Sequence, residues 1–284
     1  MSSHKKKYQL FIILLIVFSA FIEPASAQDI RWRRGSVVVP ELALFHSTHA
    51  INLPTAETLQ TGDFEFEVSH HFIPFIKEGS AALWGLDGPV NIRLALGYAP
   101  SDHMIITLGR SNVTDNLDLQ VKYKLAQVRN DIVPFGVTLN VGIARNANVG
   151  SLSNGCSRNF QYFGQIIFNT MIIDKIGFGL VPAYLYNSAL TTNAIKYSFT
   201  MGTYLQYYIV RSWSVLMEWN PTVTGWRASY NSLSMGVELE TGGHFFKIFV
   251  TNNSFLNTSQ FLAGAINRFS NGDIRLGFMI TRLL

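Results

Sequence analysis

The residues best suited to metal or nucleophilic chemistry are seven histidines and one cysteine. His46 with His49, and His70 with His71, invite a metal reading, which would need further ligands in defined geometry. Adjacent residues on a strand face opposite ways, so His70 and His71 cannot share one ion there. The expectation is one interface histidine, one interior histidine and no metal. Cys156 lies in Ser-Asn-Gly-Cys-Ser-Arg, a loop composition with no base beside it. A single cysteine forms no intrachain disulfide, and without a base it makes a poor nucleophile. Gly-rich phosphate loops, CxxC pairs, CxxCH, Gly-x-Ser-x-Gly and His-Glu-x-x-His are all absent. No cofactor is expected.

Charges at alternate positions are more informative. Between 115 and 125, Asn116, Asp118, Gln120, Lys122 and Lys124 alternate with Leu117, Leu119, Val121, Tyr123 and Leu125. A helix would repeat every three or four residues; this segment repeats every two. The same alternation offers a polar face carrying Asp63, Glu65, Glu67, His71, Arg93, Asp118, Lys122, Lys124, Glu218, Glu238, Glu240, Lys247 and Arg275. Around a closed barrel such a face would line a lumen. Ringed charges can orient or select small polar solutes. Opposite charges can instead pair and fill the interior, leaving no channel. The sequence leaves both arrangements open.

The elements that must carry this face recur along the chain. Phe64, Phe66 and Val68 alternate with acidic residues, and Ile92, Leu94 and Leu96 with Arg93 and Ala95. Comparable segments centre on Ile106, Leu139, Ile166, Phe178, Leu205, Met217, Met235, Ile248 and Phe278. That makes about twelve strands, an even number as in bacterial single-chain barrels. Most reach the roughly 9–11 residues a tilted strand needs to cross a membrane; soluble sandwich strands average about 5–6. Connections should be long on the outside, at 73–90, 111–115, 145–159, 187–196, 221–231 and 253–272. They should be short on the inside, at 99–102, 126–133, 172–175, 210–212 and 241–243. Aromatics near strand ends (Trp84, Tyr98, Tyr186, Tyr197, Tyr208, Trp213, Trp219 and Trp226) suggest interfacial girdles.

Composition agrees. Only 14% of residues are charged, against about 25% in soluble domains, and 13% are aromatic. Lys5, Lys6 and Lys7, the apolar run 10–22 and Ala25-Ser26-Ala27 read as a cleaved signal peptide over 1–27. Without it, basic residues exceed acidic ones by two, so the basic pI argues for no nucleic-acid partner. Residues 28–61, with Arg31, Arg33, Arg34, His46 and His49, are less regular. They suit a periplasmic strap, a plug in the lumen, or an added strand at 37–44. The barrel itself is assigned to 62–284. Residues 257–269 carry Phe261, Leu262, Ala265 and Ile266 at helical spacing and predict a short helix. The closing Gly277-Phe-Met-Ile-Thr-Arg-Leu-Leu284 is apolar-rich, as a terminal strand read by barrel-insertion machinery should be, although Arg282 departs from that pattern.

Several segments carry a resemblance. They are His49-Ala-Ile-Asn-Leu-Pro-Thr-Ala-Glu57, Gly62-Asp-Phe-Glu-Phe-Glu-Val-Ser-His-His-Phe72 and Leu83-Trp-Gly-Leu-Asp-Gly88. Gly243-His-Phe-Phe-Lys-Ile-Phe-Val-Thr-Asn252 and Asp273-Ile-Arg-Leu-Gly-Phe-Met-Ile-Thr-Arg282 complete them. In this order they resemble a family of outer-membrane β-barrels known only as a domain of unknown function. The resemblance implies one barrel in the outer membrane of a Gram-negative cell, and no catalytic residues. A barrel phospholipase would need a serine beside an outward histidine, and none can be placed beside His70. The expected molecule is all-β, a closed antiparallel transmembrane barrel, not an enzyme, in contact with membrane lipid. It would be a narrow pore for small polar solutes, or else a non-conducting barrel acting through its outer loops.

Overall fold

The computed structural model describes residues 44–128, 133–149, 157–192 and 194–284. The expected leader, Arg31, Arg33, Arg34, nearly all of 37–44 and Cys156 lie outside the described residues.

One antiparallel sheet holds thirteen strand segments. They are β1 (Phe64–Phe72), β2 (Val90–Ser101), β3 (Met104–Ser111), β4 (Asn116–Val128), β5 (Phe135–Asn146), β6 (Phe160–Ile172) and β7 (Ile176–Tyr186). There follow β8 (Tyr197–Val210), β9 (Trp213–Asn220), β10 (Thr222–Gly225), β11 (Ser232–Thr241), β12 (His244–Thr251) and β13 (Arg275–Leu283). Chain neighbours pair around the sheet, and β1 pairs with β13, so the barrel closes. β10 continues β9 past Pro221 and pairs with the same β8, which gives twelve staves. The expected outer loop 221–231 is thereby shortened: proline interrupts the hydrogen-bond ladder for one residue and the strand resumes. Closure matters because an open edge would leave unpaired N–H and C=O groups in hydrocarbon.

Alternation sets two surfaces. Leu94, Leu96, Leu108, Leu119 and Ile248 point outward, roughly half exposed, while Asp118 and Glu218 point inward and are fully buried. His70 faces out, stacked on Phe278 at 4.4 Å, and His71 faces in, edge-on to Phe249. Tyr98, Tyr186, Tyr197, Trp213 and Trp219 are exposed on the outer surface. Two expected girdle residues are not there. Tyr208 takes an inward position on β8 and is buried, and Trp226 packs against Phe163, Ala183 and Leu185. Ring type alone did not distinguish the two faces.

Short turns gather at one end, including Gly242-Gly243, whose φ values of 55° and 91° suit a tight hairpin. The long loops gather at the other end, which is therefore the outer one.

Candidate functional site: the occupied lumen

The inward wall has two chemistries. On β6, β7 and β8 it mixes apolar and neutral polar groups, with Phe163, Ile167, Val181, Leu185, Tyr204 and Tyr208 buried beside Gln161, Gln165, Asn169, Ser198, Thr200 and Gln206. Elsewhere it is polar and charged. Arg93 bridges two carboxylates, at 2.9 Å from Glu67 and 3.2 Å from Asp118. Lys247 lies 3.2 Å from Glu238. Glu65, Lys122, Lys124, Glu218 and His71 are also buried inward. Asp63 precedes β1 and is half-buried at the inner rim, and Glu240 is half-buried at the same end. Arg275 opens β13 at the outer rim, its guanidinium 4.1 Å from the centre of the Phe75 ring. The predicted lining residues thus occupy one surface, and several pair with opposite charges rather than facing open water.

Two segments fill the space they enclose. From the inner end, residues 44–61 enter as a hairpin closed by His49 pairing with Pro54, with Thr55 N–H donating to Thr48 O at 2.9 Å. The described part of that segment, 44–61, thus runs inside the lumen. Its backbone is matched to the wall by sign. One Glu218 carboxylate accepts the N–H groups of Ile51, Asn52 and Leu53 at 3.3, 2.9 and 3.0 Å, and the Asn52 amide at 2.6 Å. Lys122 donates to the carbonyls of Thr48 and Thr55, and Lys247 donates to that of His49 at 2.7 Å. Carboxylate therefore meets donors and ammonium meets acceptors, which offsets the desolvation each buried group would otherwise suffer. Within the hairpin, Glu57 accepts the N–H of Leu44 at 2.8 Å, and burial pushes its carboxyl up from the usual range.

Apolar side chains of the insert meet the apolar wall. Phe45, Leu53 and Ala56 join Ile167, Val181, Tyr204 and Tyr208 in one buried cluster. Inward glycines make room: a methyl on Gly177 would lie 2.6 Å from the Phe45 ring, and one on Gly202 2.9 Å from Leu53.

From the outer end, the loop between β12 and β13 turns into the barrel. The predicted helix over 257–269 is confined to Thr258–Leu262, all of it buried. It stops early because the backbone of Ala263 and Ala265 pairs with the 228–230 loop instead, Ala265 N–H donating to Tyr230 O at 2.7 Å. Asn257 donates to Asp118 at 2.7 Å and also to Asn116, and Gln260 donates to Thr114 at 2.8 Å. Phe261 belongs to the same cluster as the insert, so the two inserted segments meet inside the barrel. Around the inner mouth, His46, Glu57, Leu59, Arg211 and Glu240 line a cavity of about 300 Å³, with His46 2.5 Å from Glu240. Among the described residues no group of three or more His, Cys, Asp or Glu could hold a metal ion.

The insert is tied down again where it leaves. Asp102, in the turn between β2 and β3, accepts both the N–H and the hydroxyl of Thr61 at 2.6 Å. Those donors hold the Asp102 carboxyl below its usual range. A depressed carboxyl contributes its tether above the ordinary carboxylate pKa and loses it as pH falls through the lowered value. Asp102→Ala should therefore speed amide exchange of 58–61 at neutral pH and leave barrel unfolding unchanged. Unchanged exchange would show that the tether holds nothing.

Solved structures similar to this chain are outer-membrane barrels. The NanC porin is 8% identical, covers 78% of this chain and 98% of its own, and has a TM-score of 0.48. Omp33 from Acinetobacter baumannii is 9% identical, with 78% and 98% covered and a TM-score of 0.41. Among curated proteins none matches. Residues 45–284 match the family model described as "Membrane bound beta barrel domain (DUF5777)", and the chain belongs to that family, a twelve-stave barrel of the outer membrane.

Proposed function

We propose that the barrel is a solute conduit, not an enzyme, with a closed resting state. Residues 44–61 form its inner stopper and the loop between β12 and β13 its outer lid. The observation that carries this reading is the manner of attachment. Glu218, Lys122 and Lys247 hold the hairpin through its backbone, by contacts that water can replace once the segment leaves. The wall behind it remains polar over most of its circumference. Spontaneous release should be rare. Burying Leu44, Phe45, Ile51 and Leu53 contributes on the order of 6–12 kcal/mol, at about 1.5–3 kcal/mol per side chain.

Planar-bilayer recording tests the reading. The full chain should be silent at rest. A full-length Phe45→Asp/Leu53→Asp variant, which places charge against the apolar wall, should conduct, and adding Phe261→Asp should enlarge the step. Both variants are first checked for heat-modifiable gel mobility, which reports a folded barrel. Folded variants that stay silent would overturn the conduit. They would favour a second reading, a filled barrel that works through its outer loops, for which the packing of insert and lid into one apolar cluster already speaks.

A further inference from the structure

We infer that the solute is amphipathic, with short apolar peptides as its best-fitting class, rather than a small uniformly polar molecule. This rests on the conduit reading above and names what would use it. The space the insert fills is bounded by unlike walls. One side offers Ile167, Val181, Tyr204 and Tyr208, and none of these is needed to close the sheet, since strand pairing already satisfies the backbone. In the closed barrel this wall seats Phe45 and Leu53, and once they leave it favours a solute with apolar groups of its own over water.

Around the rest of the lumen stand groups that recognise an amide backbone, with Glu218 directly beside Tyr204. Glu218 accepts three consecutive N–H groups, and Lys122 and Lys247 each donate to carbonyls. The present occupant displays the chemistry the site accepts. Phe45 and Leu53 lie in the apolar cluster while the hairpin's amides meet polar groups around them, including the Tyr204 hydroxyl, which donates to Pro54 O at 3.1 Å, and the Tyr208 hydroxyl, which accepts His46 N–H at 3.2 Å. Gly177 and Gly202 leave recesses of side-chain size beneath Phe45 and Leu53. A solute with aliphatic or aromatic side chains and free backbone donors and acceptors would repeat these contacts. A sugar or a small ion would repeat only half of them.

Flux into proteoliposomes tests this in the full-length Phe45→Asp/Leu53→Asp variant, with protein-free vesicles as the baseline. The probes are the dipeptides Leu-Phe and Ser-Ser, alike in backbone and charge. A plain sieve passes the smaller Ser-Ser faster. The amphipathic site should instead pass Leu-Phe about tenfold faster at low concentration, with saturation, as expected for about 1.4 kcal/mol of extra binding. Adding Ile167→Ser and Val181→Ser should abolish that preference while Ser-Ser flux is kept. Equal or faster Ser-Ser flux would overturn the inference and leave the conduit standing. A folded variant passing neither dipeptide would overturn both.

Discussion

Glu218→Ala should loosen the inner stopper more than any other single change in the wall. The side chain is fully buried, and its carboxylate is the acceptor for Ile51, Asn52 and Leu53 N–H. Alanine strands three donors inside the lumen at once. A buried donor left without a partner costs about 1–3 kcal/mol, and some of that is recovered if water follows the side chain out. A net loss of about 3 kcal/mol at the hairpin corresponds to an opening equilibrium shifted roughly 100-fold. Hydrogen exchange should show it directly, with the amides of 51–53 exchanging about 100-fold faster while those of β5 and β6 stay protected. Glu218→Gln keeps one accepting oxygen and should fall between the two. In bilayers, Glu218→Ala should add brief openings to a silent baseline. Unchanged exchange at 51–53 would mean that apolar packing alone seats the hairpin and that the carboxylate grip is incidental.

That grip was not legible in the sequence, whereas the wall was. Alternation is a direct consequence of pleating, so Leu117 to Leu125 and their polar neighbours declared their faces residue by residue. That Arg93, Glu67 and Asp118 share the inward side was legible, whereas which of them pair depends on register. Residues 44–61 carry no such period. Their backbone is satisfied within the hairpin and by side chains from β4, β5, β6, β8, β9 and β12, which lie far away in sequence, and not by a neighbouring strand. A signal was nevertheless present. Gly177 and Gly202 fall at inward positions where a barrel filled by its own side chains would carry bulk, and Phe45 and Leu53 of the insert take that space. Read as recesses, they point to an inserted segment. The outer lid was hidden for a related reason. Its helical spacing was visible, but burial of Thr258, Ser259 and Gln260 depends on Asn116, Asp118 and Thr114 supplying partners. Tyr208 misled because an aromatic near a strand end suits both an interface and an interior.

Arg93→Met should be the most costly change to the barrel itself. The guanidinium lies between Glu67 at 2.9 Å and Asp118 at 3.2 Å, with all three side chains 5% exposed or less. Glu67 has a further donor in Ser69, and Asp118 has Gln120 and Asn257, so each carboxylate accepts from neutral groups as well as from the guanidinium. Methionine matches the volume and removes the cation that bridges them, leaving like charges buried side by side. Breaking a buried ion pair from one side costs about 3–5 kcal/mol. Urea unfolding of the reconstituted barrel should record a loss of that size. Because Asn257 hangs on Asp118, the outer lid should loosen as well. Adding Glu67→Gln and Asp118→Asn to Arg93→Met removes the stranded charges and should restore stability to within about 1 kcal/mol of the parent, since neutral replacement of a buried ion cluster is often tolerated. The triple variant separates two physical pictures of the lumen. If Arg93→Met alone costs little, water already screens the cluster and the interior is wetter than the closed arrangement requires. A large single cost with recovery in the triple variant means the charges sit in a dry, sealed barrel, where the stopper and lid do the sealing.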